Sequence, residues 1–583
     1  MKSSRPHLFS LRIAHAFRES VLQGHYHRDQ FKRDLIAGLT VGLIAIPLSM
    51  ALAIACGVAP QYGLYTAIVA GFIIALTGGS RVSISGPTAA FVVILVPVVQ
   101  RFGISGLLVA TALSGLILIA MAFMRLGRFI EYIPEPVTLG FTAGIAVVIA
   151  TLQIKDVLGL PVMDLPNHFL AKWPVLIDNL PALDWASLTV AVVTFATLLL
   201  WHRVSRVLPA HIPALLIGTL VAWLFGIAGH EVATIGSRFQ YLDAGGQLLF
   251  GIPAQLPHWV WPWQMQVGES QALTWDWATV QGLLSAAFAM AMLGAIESLL
   301  CAVVLDGMTH HRHSANSELL GQGIGNIIAP FFGGFTATAA LARSAANVRA
   351  GGTSPVAAIT HALVVLFALA FCTRWLAWLP MSAMAALLLM VAWNMSEAHK
   401  AVQLIRRSPK EDIWVFLTCF SLTVLFDMVI AITVGILLAA ILFMQQLARL
   451  TRLIPQLGLD AAEVPAGWFV FRIQGPLFFA AADRIFSELS DLSPDARGII
   501  VNMSGVDLLD AGGLSALEKL IDQCTKRKTK LVICELSFQP LKTLARAKME
   551  PIAGVLTFKS TTLDALALAH TRAELGSQAS LGG

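Results

Sequence analysis

From Leu35 to about Leu447, long apolar runs follow one another with short polar breaks between them. About twenty apolar residues carry a helix across the hydrocarbon layer of a bilayer. On that measure the runs predict spans at 35–55, 61–78, 86–99, 104–124, 136–154, 187–201, 212–229, 280–305, 318–332, 340–350, 355–372, 376–395, 412–427 and 428–446. The third and tenth are short, and the last two are joined almost without a loop near Asp427. After Arg452 the period changes. Trp468–Ile473, Gly498–Met503 and Lys530–Cys534 read as strands, and Ala480–Leu489, Ala511–Cys524 and Pro540–Ala547 as helices. Strands alternating with helices predict a small α/β domain. The fold class is therefore an α-helical polytopic membrane protein of fourteen transmembrane segments followed by an α/β domain. The expected divisions are a polar arm (1–30), a first seven-span repeat (31–230), an extracytoplasmic linker (231–279) and a second repeat (280–447). A linker (448–454), the α/β domain (455–570) and a disordered Gly- and Ser-containing tail (571–583) complete the chain.

Charge supports this segmentation. Lys and Arg gather in cytoplasmic loops. With Arg28, Lys32 and Arg33 inside, fourteen crossings leave Arg81, Arg125, Arg312, Lys400, Arg406 and Arg407 inside as well. Outside loops hold few cations, among them Arg101, Lys172, Arg238 and Arg374. Both termini are then cytoplasmic. The polar first thirty residues exclude a cleaved signal peptide before Leu35. With 57% hydrophobic residues and 13% charged, the composition is that of a membrane protein, and the net charge of +5 argues topology rather than nucleic-acid binding. Six cysteines show no paired or C-x-x-C spacing. The tryptophans of the second long outside segment (Trp259, Trp261, Trp263, Trp275, Trp277) read as an interfacial cap.

Seven plus seven spans place the second half in the membrane upside down relative to the first, and the halves echo each other. GGSRVSISGPTAA (Gly78–Ala90) leads into the third span, and GGFTATAALARSAAN (Gly333–Asn347) into the tenth. Interrupted segments at matching places in two halves point to a binding site at the membrane midplane. Half-helix N-termini, with Arg343 beside one of them, suit an anion. The competing reading is a Gly/Ala packing seam with a snorkelling arginine.

Glu297 is the acid well inside the eighth span. Burying its charge costs roughly 2.5–3.5 kcal/mol on insertion scales unless it is paired or protonated, which suits a proton carrier. Gln322 or Asn326 are its alternative, purely structural partners, and Arg343 is expected to pair with Glu297 or with a substrate anion. Ser83, Ser85, Thr88, Thr336, Thr338 and Ser344 are candidate hydroxyl donors. His361 reads as a packed, hydrogen-bonded histidine, and the His310–His313 cluster lacks metal-site spacing. No P-loop, dinucleotide fingerprint or nucleophile elbow is present, so neither an enzyme nor a cofactor is expected; the proton is the expected coupling ion.

PQYGLYTA (Pro60–Ala67), GGSR (Gly78–Arg81), SGPTAA (Ser85–Ala90), IESLLCAVVLDGMT (Ile296–Thr309), NSELLGQGIGN (Asn316–Asn326) and ARSAANVRAGG (Ala342–Gly352) together resemble the sulfate permease (SulP) family of anion transporters with a C-terminal STAS domain. The likeness spans about Phe31 to Ala569, and AMLGAIESLLCAVVLDGMT and SAMAALLLMVAWNMSEAHK are most similar to bacterial C4-dicarboxylate members. It implies inverted repeats divided into core and gate, short strands before the two half-helices, a homodimer, and elevator-like movement in a bacterial inner membrane. Carried over position by position, it implies that substrate meets Ser85, Gly86, Pro87, Thr88, Ala342, Arg343 and Ser344, with Glu297 coupling protons and no metal. Proton-coupled uptake of succinate, fumarate or aspartate follows as the expected function, with sulfate or bicarbonate as alternative anions. Two departures bear on this. Pro47-Leu48-Ser49 stands where many relatives have a glutamine, and Cys301 and Leu341 weaken any sodium site. Ala511 follows Asp510 where single-domain STAS regulators carry a phosphorylatable serine. A cytosolic partner at the STAS domain remains expected, and a membrane-anchored regulator acting through that domain is the reading from another class.

Overall fold

Local chemistry sets where the helices begin. Pro60 opens the helix Pro60–Thr77, and Asp276 accepts the Thr279 N–H at 2.9 Å to start Trp277–Thr309. Ser354 accepts from Val356 N at 3.2 Å ahead of Pro355–Phe371. Such caps satisfy amides that the helix itself leaves unpaired. The computed structural model describes residues 11–23, 26–128, 134–162, 165–166, 168–205, 209–242, 248–265, 273–426, 428–455, 464–491 and 496–581. Asp427 lies outside them.

In chain order the membrane part runs α1 (Arg28–Ala55), α2 (Pro60–Thr77), β1 (Ser85–Gly86), α3 (Val92–Phe123), α4 (Glu135–Val157), α5 (Trp185–Val204), α6 (His211–Ile227), β2 (Gln240–Leu242) and β3 (Leu248–Phe250). It continues with α7 (Trp277–Thr309), α8 (Ala315–Ile328), β4 (Thr338–Ala339), α9 (Leu341–Arg349), α10 (Pro355–Phe371), α11 (Met381–Met395), α12 (Lys410–Leu425) and α13 (Met428–Leu450). Among the described residues, 7 helices are long and apolar enough to cross a membrane, and shorter apolar helices accompany them. The third and fourth predicted spans form one hydrogen-bonded run broken at Gly103, whose φ of 64° L-residues rarely adopt. The helix predicted over 318–332 stops at Ile328 and tightens into a 3-10 turn, Ala329–Phe332, because Pro330 cannot continue it.

The helices pack in two groups. α1, α2, α3, α7, α8, α9 and α10 pack on one another, while α4, α5, α6, α11 and α12 form the second group. Close approach in the first depends on missing side chains. A Cβ on Gly323 of α8 would lie 2.8 Å from the Gly115 carbonyl of α3, and one on Gly115 would lie 2.7 Å from Gly323 O. Small residues at helix crossings, rather than hydrophobic force, hold helices together in lipid.

The polar arm before α1 is tied down. Ala14 N and Ala16 N donate to Thr77 O and Gly78 O at 3.0 and 3.3 Å, and Glu19 pairs with Arg81 at 3.2 Å. Asp34, fully buried near the start of α1, accepts from Tyr26 OH at 2.7 Å and from Thr353 N and Ser354 N at 2.6 and 3.2 Å. The Ser354 hydroxyl donates to it as well. One carboxylate thus joins the arm, α1 and the turn before α10.

Residues Met1–Ile436 form one compact unit and Leu437–Gly583 another. The second unit carries a sheet ordered β5 (Arg452–Pro455), β6 (Trp468–Gln474), β7 (Gly498–Gly505), β8 (Lys530–Cys534) and β9 (Leu556–Lys559). β5 is antiparallel to β6 and the other pairs are parallel. Phe471 and Ile473 face a core with α14 (Phe479–Asp491), α15 (Ala511–Arg527) and α16 (Phe538–Arg546). Trp468 and Val470 face the other side, against α17 (Thr562–Leu581). The interior elements match the strands and helices expected from the alternating pattern. The two edge strands were too short to read, and β5 ends on Pro455. The predicted disordered tail is instead helix through Leu581. Its first turns bury Ala565, Leu566 and Ala569 against the sheet, and that docking carries the helix into the Gly- and Ser-containing end.

Asp34→Ala strands five donors inside the protein, the Thr353 hydroxyl among them. We expect a loss of about 2–5 kcal/mol, on the scale of a broken buried charge network, and a smaller loss for Asp34→Asn. The melting temperature of the purified protein measures it; an unchanged value for Asp34→Ala would mean that the arm and the turn do not depend on this carboxylate.

Candidate functional site

The site is built on a two-by-two strand crossing. β1 and β4 pair antiparallel, Ser85 with Ala339 and Gly86 with Thr338. Each strand runs directly into a helix: Thr88 precedes the 3-10 turn Ala89–Phe91 that opens α3, and Ala340 precedes α9. Antiparallel pairing of two such segments sets their helix N-termini across from one another. Thr88 and Ala340 have extended backbone and neither helix start carries a side-chain cap. First-turn amides and the helix dipole together favour negative charge there.

Side chains from five other positions brace the crossing. Asn326 of α8 brackets Ala337, donating to its carbonyl at 3.0 Å and accepting its N–H at 2.8 Å. Ser344 Oγ accepts from Ile84 N at 2.9 Å, and Asn347 Nδ2 donates to Val82 O at 2.9 Å. Glu318, 1% exposed, accepts from Gly79 N and Ser80 N at 2.9 Å each and from Gln322 Nε2 at 3.2 Å, and Gln322 also donates to Ser85 Oγ at 3.0 Å. Gln322 and Asn326, weighed as partners of Glu297, thus serve the frame instead. Glu318 escaped the sequence reading, although an acid inside NSELLGQGIGN was a visible signal.

Glu297 spans the two halves. Its Oε2 accepts from Thr88 Oγ1 and Thr338 Oγ1, each at 2.8 Å, and those hydroxyls lie 3.3 Å apart. No ion pair joins it to Arg343 among the described residues, so that half of the expectation fails. The Thr88 and Thr338 hydroxyls occupy the carboxylate. Arg343, 2% exposed, turns inward and donates from Nη2 to Pro87 O at 2.6 Å. Its Nε and Nη1 have no hydrogen-bond partner among the described residues. Guanidinium and strand are in close contact, since a Cβ on Gly86 would fall 2.8 Å from Nη1. A snorkelling arginine is therefore excluded.

The sequence-predicted residues divide by position. Leu341 and Ala342 are exposed at the start of α9, and Glu297 is half-buried beside them. Gly86, Pro87 and Thr88 line the opposite start, while Ser85 and Ser344 are buried in the brace. Thr336 meets Thr111 Oγ1 at 2.9 Å, away from the helix ends, and Ser83 Oγ has no partner among the described residues. His361 was expected to be hydrogen-bonded, yet neither ring nitrogen has a partner in hydrogen-bond geometry among the described residues. His313 Nδ1 pairs with Asp306 at 2.9 Å, and no group of three or more His, Cys, Asp or Glu side chains among the described residues could hold a metal. In the α/β unit, Asp510 caps α15 by accepting from Gly513 N at 2.7 Å, with Ala511 as the first helical residue.

Residues 31–419 match the Sulfate permease family, and residues 461–565 match the STAS domain. The chain belongs to the sulfate permease family. It is a membrane transporter of small anions with a C-terminal STAS domain, and not an enzyme. It is 37% identical over 523 residues to the putative sulfate transporter YvdB of Bacillus subtilis, covering 89% of this chain and 94% of that one. It is 26% identical over 552 residues to the bicarbonate transporter BicA of Picosynechococcus, covering 90% and 92%. Among solved structures, murine Slc26a9 in the inward-facing state aligns with a TM-score of 0.80 at 19% identity, covering 98% of this chain and 96% of that chain, a likeness of fold. The transmembrane domain of a cyanobacterial BicA aligns with a TM-score of 0.59 at 25% identity, covering 70% and 98%. Sulfate permease chemistry thus meets a site of two facing helix starts, one cation and one carboxylate.

Gly86→Ala places a methyl against Arg343 Nη1. We expect anion uptake to fall about tenfold or more, the scale of one misplaced charged hydrogen bond, in protein that still elutes as a single folded species. Uptake at the wild-type rate would show that the guanidinium can shift without consequence.

Proposed function

We propose that this transporter imports a small dianion, a C4-dicarboxylate of the succinate, fumarate or aspartate class foremost, together with protons carried by Glu297. The observation that carries the reading is the antiparallel β1–β4 pair, with an uncapped helix start at each end and the free Nε and Nη1 of Arg343 close behind. Each helix start offers amides to one carboxylate, and the exposed Leu341 and Ala342 offer an apolar surface to the methylenes between them. Sulfate and bicarbonate, the anions named for the relatives, use the same polar ends without that surface. They are the second reading, favoured by the relatives' names.

Coupling follows from charge. Like charges about 6 Å apart at an effective permittivity of about 20 repel by roughly 3 kcal/mol, about a hundredfold in affinity. A proton on Glu297 removes the negative charge beside an arriving dianion, so proton and anion enter together and leave together. The carboxyl can change hydrogen-bonding role without moving far, because Thr88 and Thr338 hydroxyls both donate and accept. We read the two helix groups as core and gate, the core carrying the site past the gate in an elevator-like movement, in a homodimer in a bacterial inner membrane with cytoplasmic termini. Ala511 has no hydroxyl to phosphorylate, so a cytosolic partner of the STAS domain would recognise shape rather than phosphate.

Labelled succinate taken up by proteoliposomes should accumulate under an inward proton gradient, and Glu297→Gln should remove the accumulation. Driven uptake that survives Glu297→Gln unchanged would remove the carboxylate from the coupling step. Competition by unlabelled sulfate and bicarbonate in the same vesicles ranks the anions; a preference for either over succinate would reassign the substrate.

A further inference from the structure

The link between α11 and α12 is itself a helix, Ala398–Arg407. Glu397, with a φ of 41°, turns the chain out of α11, and Ser408 and Pro409 lead it directly into α12. Links this short hold the helix at the ends of two apolar helices. Its residues sort by spacing. Ala401 and Leu404 pack with Leu139 and Ala143 of α4 and Phe416 of α12. Val402 and Ile405 are apolar too, yet 45% and 47% exposed. Ile405 follows Ala401 by four, so the two pairs form one continuous apolar face, of which the protein covers only half. His399, Gln403, Arg406 and Arg407 take the other side, where His399 Nε2 and Gln403 Nε2 lie 2.7 Å apart.

The uncovered half lies at a recognisable depth. Trp393 near the end of α11 and Trp414 near the start of α12 are both 64% exposed. Indoles on membrane helices favour the level where headgroups meet acyl chains. A helix with one apolar and one basic face at that level lies along the bilayer surface, its apolar side in the chains. Charge selects the lipid. Residues 398–410 include Lys400, Arg406, Arg407 and Lys410 and no acid. Glu397 is engaged by Lys400 at 2.7 Å, and Glu411 and Asp412 stand in the first turn of α12, where the helix dipole favours them. Arg406, Arg407 and Lys410 are exposed and make no ion pair among the described residues. An anionic membrane surface attracts each such residue by about a factor of five.

We propose that the helix Ala398–Arg407 is a docking site for anionic phospholipid, with Val402 and Ile405 among the acyl chains and Arg406 and Arg407 on the headgroup phosphate. In the orientation proposed above, the lipid belongs to the inner leaflet. The site fastens the second helix group to that leaflet through α4 and α12, on which the helix packs. It is separate from the β1–β4 crossing and holds whichever anion the protein carries. Both halves of the lipid are required: the phosphate alone lacks the apolar contact, and a zwitterionic headgroup brings its own cation beside the arginines.

The test titrates the purified full-length chain in detergent with dioleoylphosphatidylglycerol, dioleoylphosphatidylcholine and glycerol phosphate in turn, reading apparent affinity from the thermal shift. Phosphatidylglycerol should bind at least about tenfold more tightly than phosphatidylcholine, a preference that 0.5 M salt should largely abolish by screening. Arg406→Gln and Arg407→Gln should each lower the preference about fivefold. Val402→Ser with Ile405→Ser should weaken both lipids together and leave their ratio unchanged. Equal binding of the two lipids by the wild type would overturn the proposal. A preference that survives both arginine changes would overturn it as well, by placing the lipid elsewhere on the molecule. Glycerol phosphate binding as tightly as phosphatidylglycerol would overturn it by reducing the site to one for soluble phosphate. If an arginine variant is unstable without lipid, Lys410→Gln takes its place with the same expected loss. None of these outcomes touches succinate, sulfate or bicarbonate uptake, so the transport reading stands or falls separately.

Discussion

A helix that stops inside a lipid bilayer leaves amides and carbonyls with no water to meet them, and each must find a partner within the protein. That constraint organises the membrane part of this chain. Ala337 is met by Asn326, Ile84 by Ser344, Val82 by Asn347, and Gly79 and Ser80 by Glu318. Phe335 N donates to Thr66 Oγ1 at 2.8 Å, and Pro87 O receives the one engaged nitrogen of Arg343. Many of the polar side chains buried in the first helix group therefore serve backbone. They make it possible for β1 and β4 to cross at membrane depth and for two helices to begin there.

What the frame does not use is what the proposed anion site draws on. Among the described residues, the starts of α3 and α9 carry no side-chain cap, and two nitrogens of Arg343 and both nitrogens of His361 have no hydrogen-bond partner. Glu297 stands between these categories. One oxygen ties the hydroxyls of the two halves together, and the residue is half-buried.

The STAS unit follows soluble rules. Its sheet is covered on both faces, the edge strands β5 and β9 are short, and Asp510 spends its carboxylate on the start of α15. With Ala511 at the first helical position, that loop is a packed corner rather than a phosphate acceptor.

Much of this was legible in the residues. Apolar run lengths located the helices because lipid thickness is a length that sequence can match. The repeated glycine pairs before short spans located the crossing, and Glu297 and Arg343 stood out because charge among apolar residues is expensive enough to need a reason. Partnership was another matter. Asp34 meets a turn 320 positions away and Glu318 a loop 239 positions away, so neither could be told from an ordinary cytoplasmic acid by its neighbours in the chain. His361 was read as satisfied, and Arg343 and Glu297 as possible partners, because hydrogen-bond supply depends on what other helices bring. Sequence alone determined which segments are apolar enough for a membrane, where two of them break and which residue types attend the break, since these depend on local length and polarity. Only the tertiary structure decided which polar groups are consumed by backbone and which remain free for an anion, since that balance is struck between atoms hundreds of residues apart.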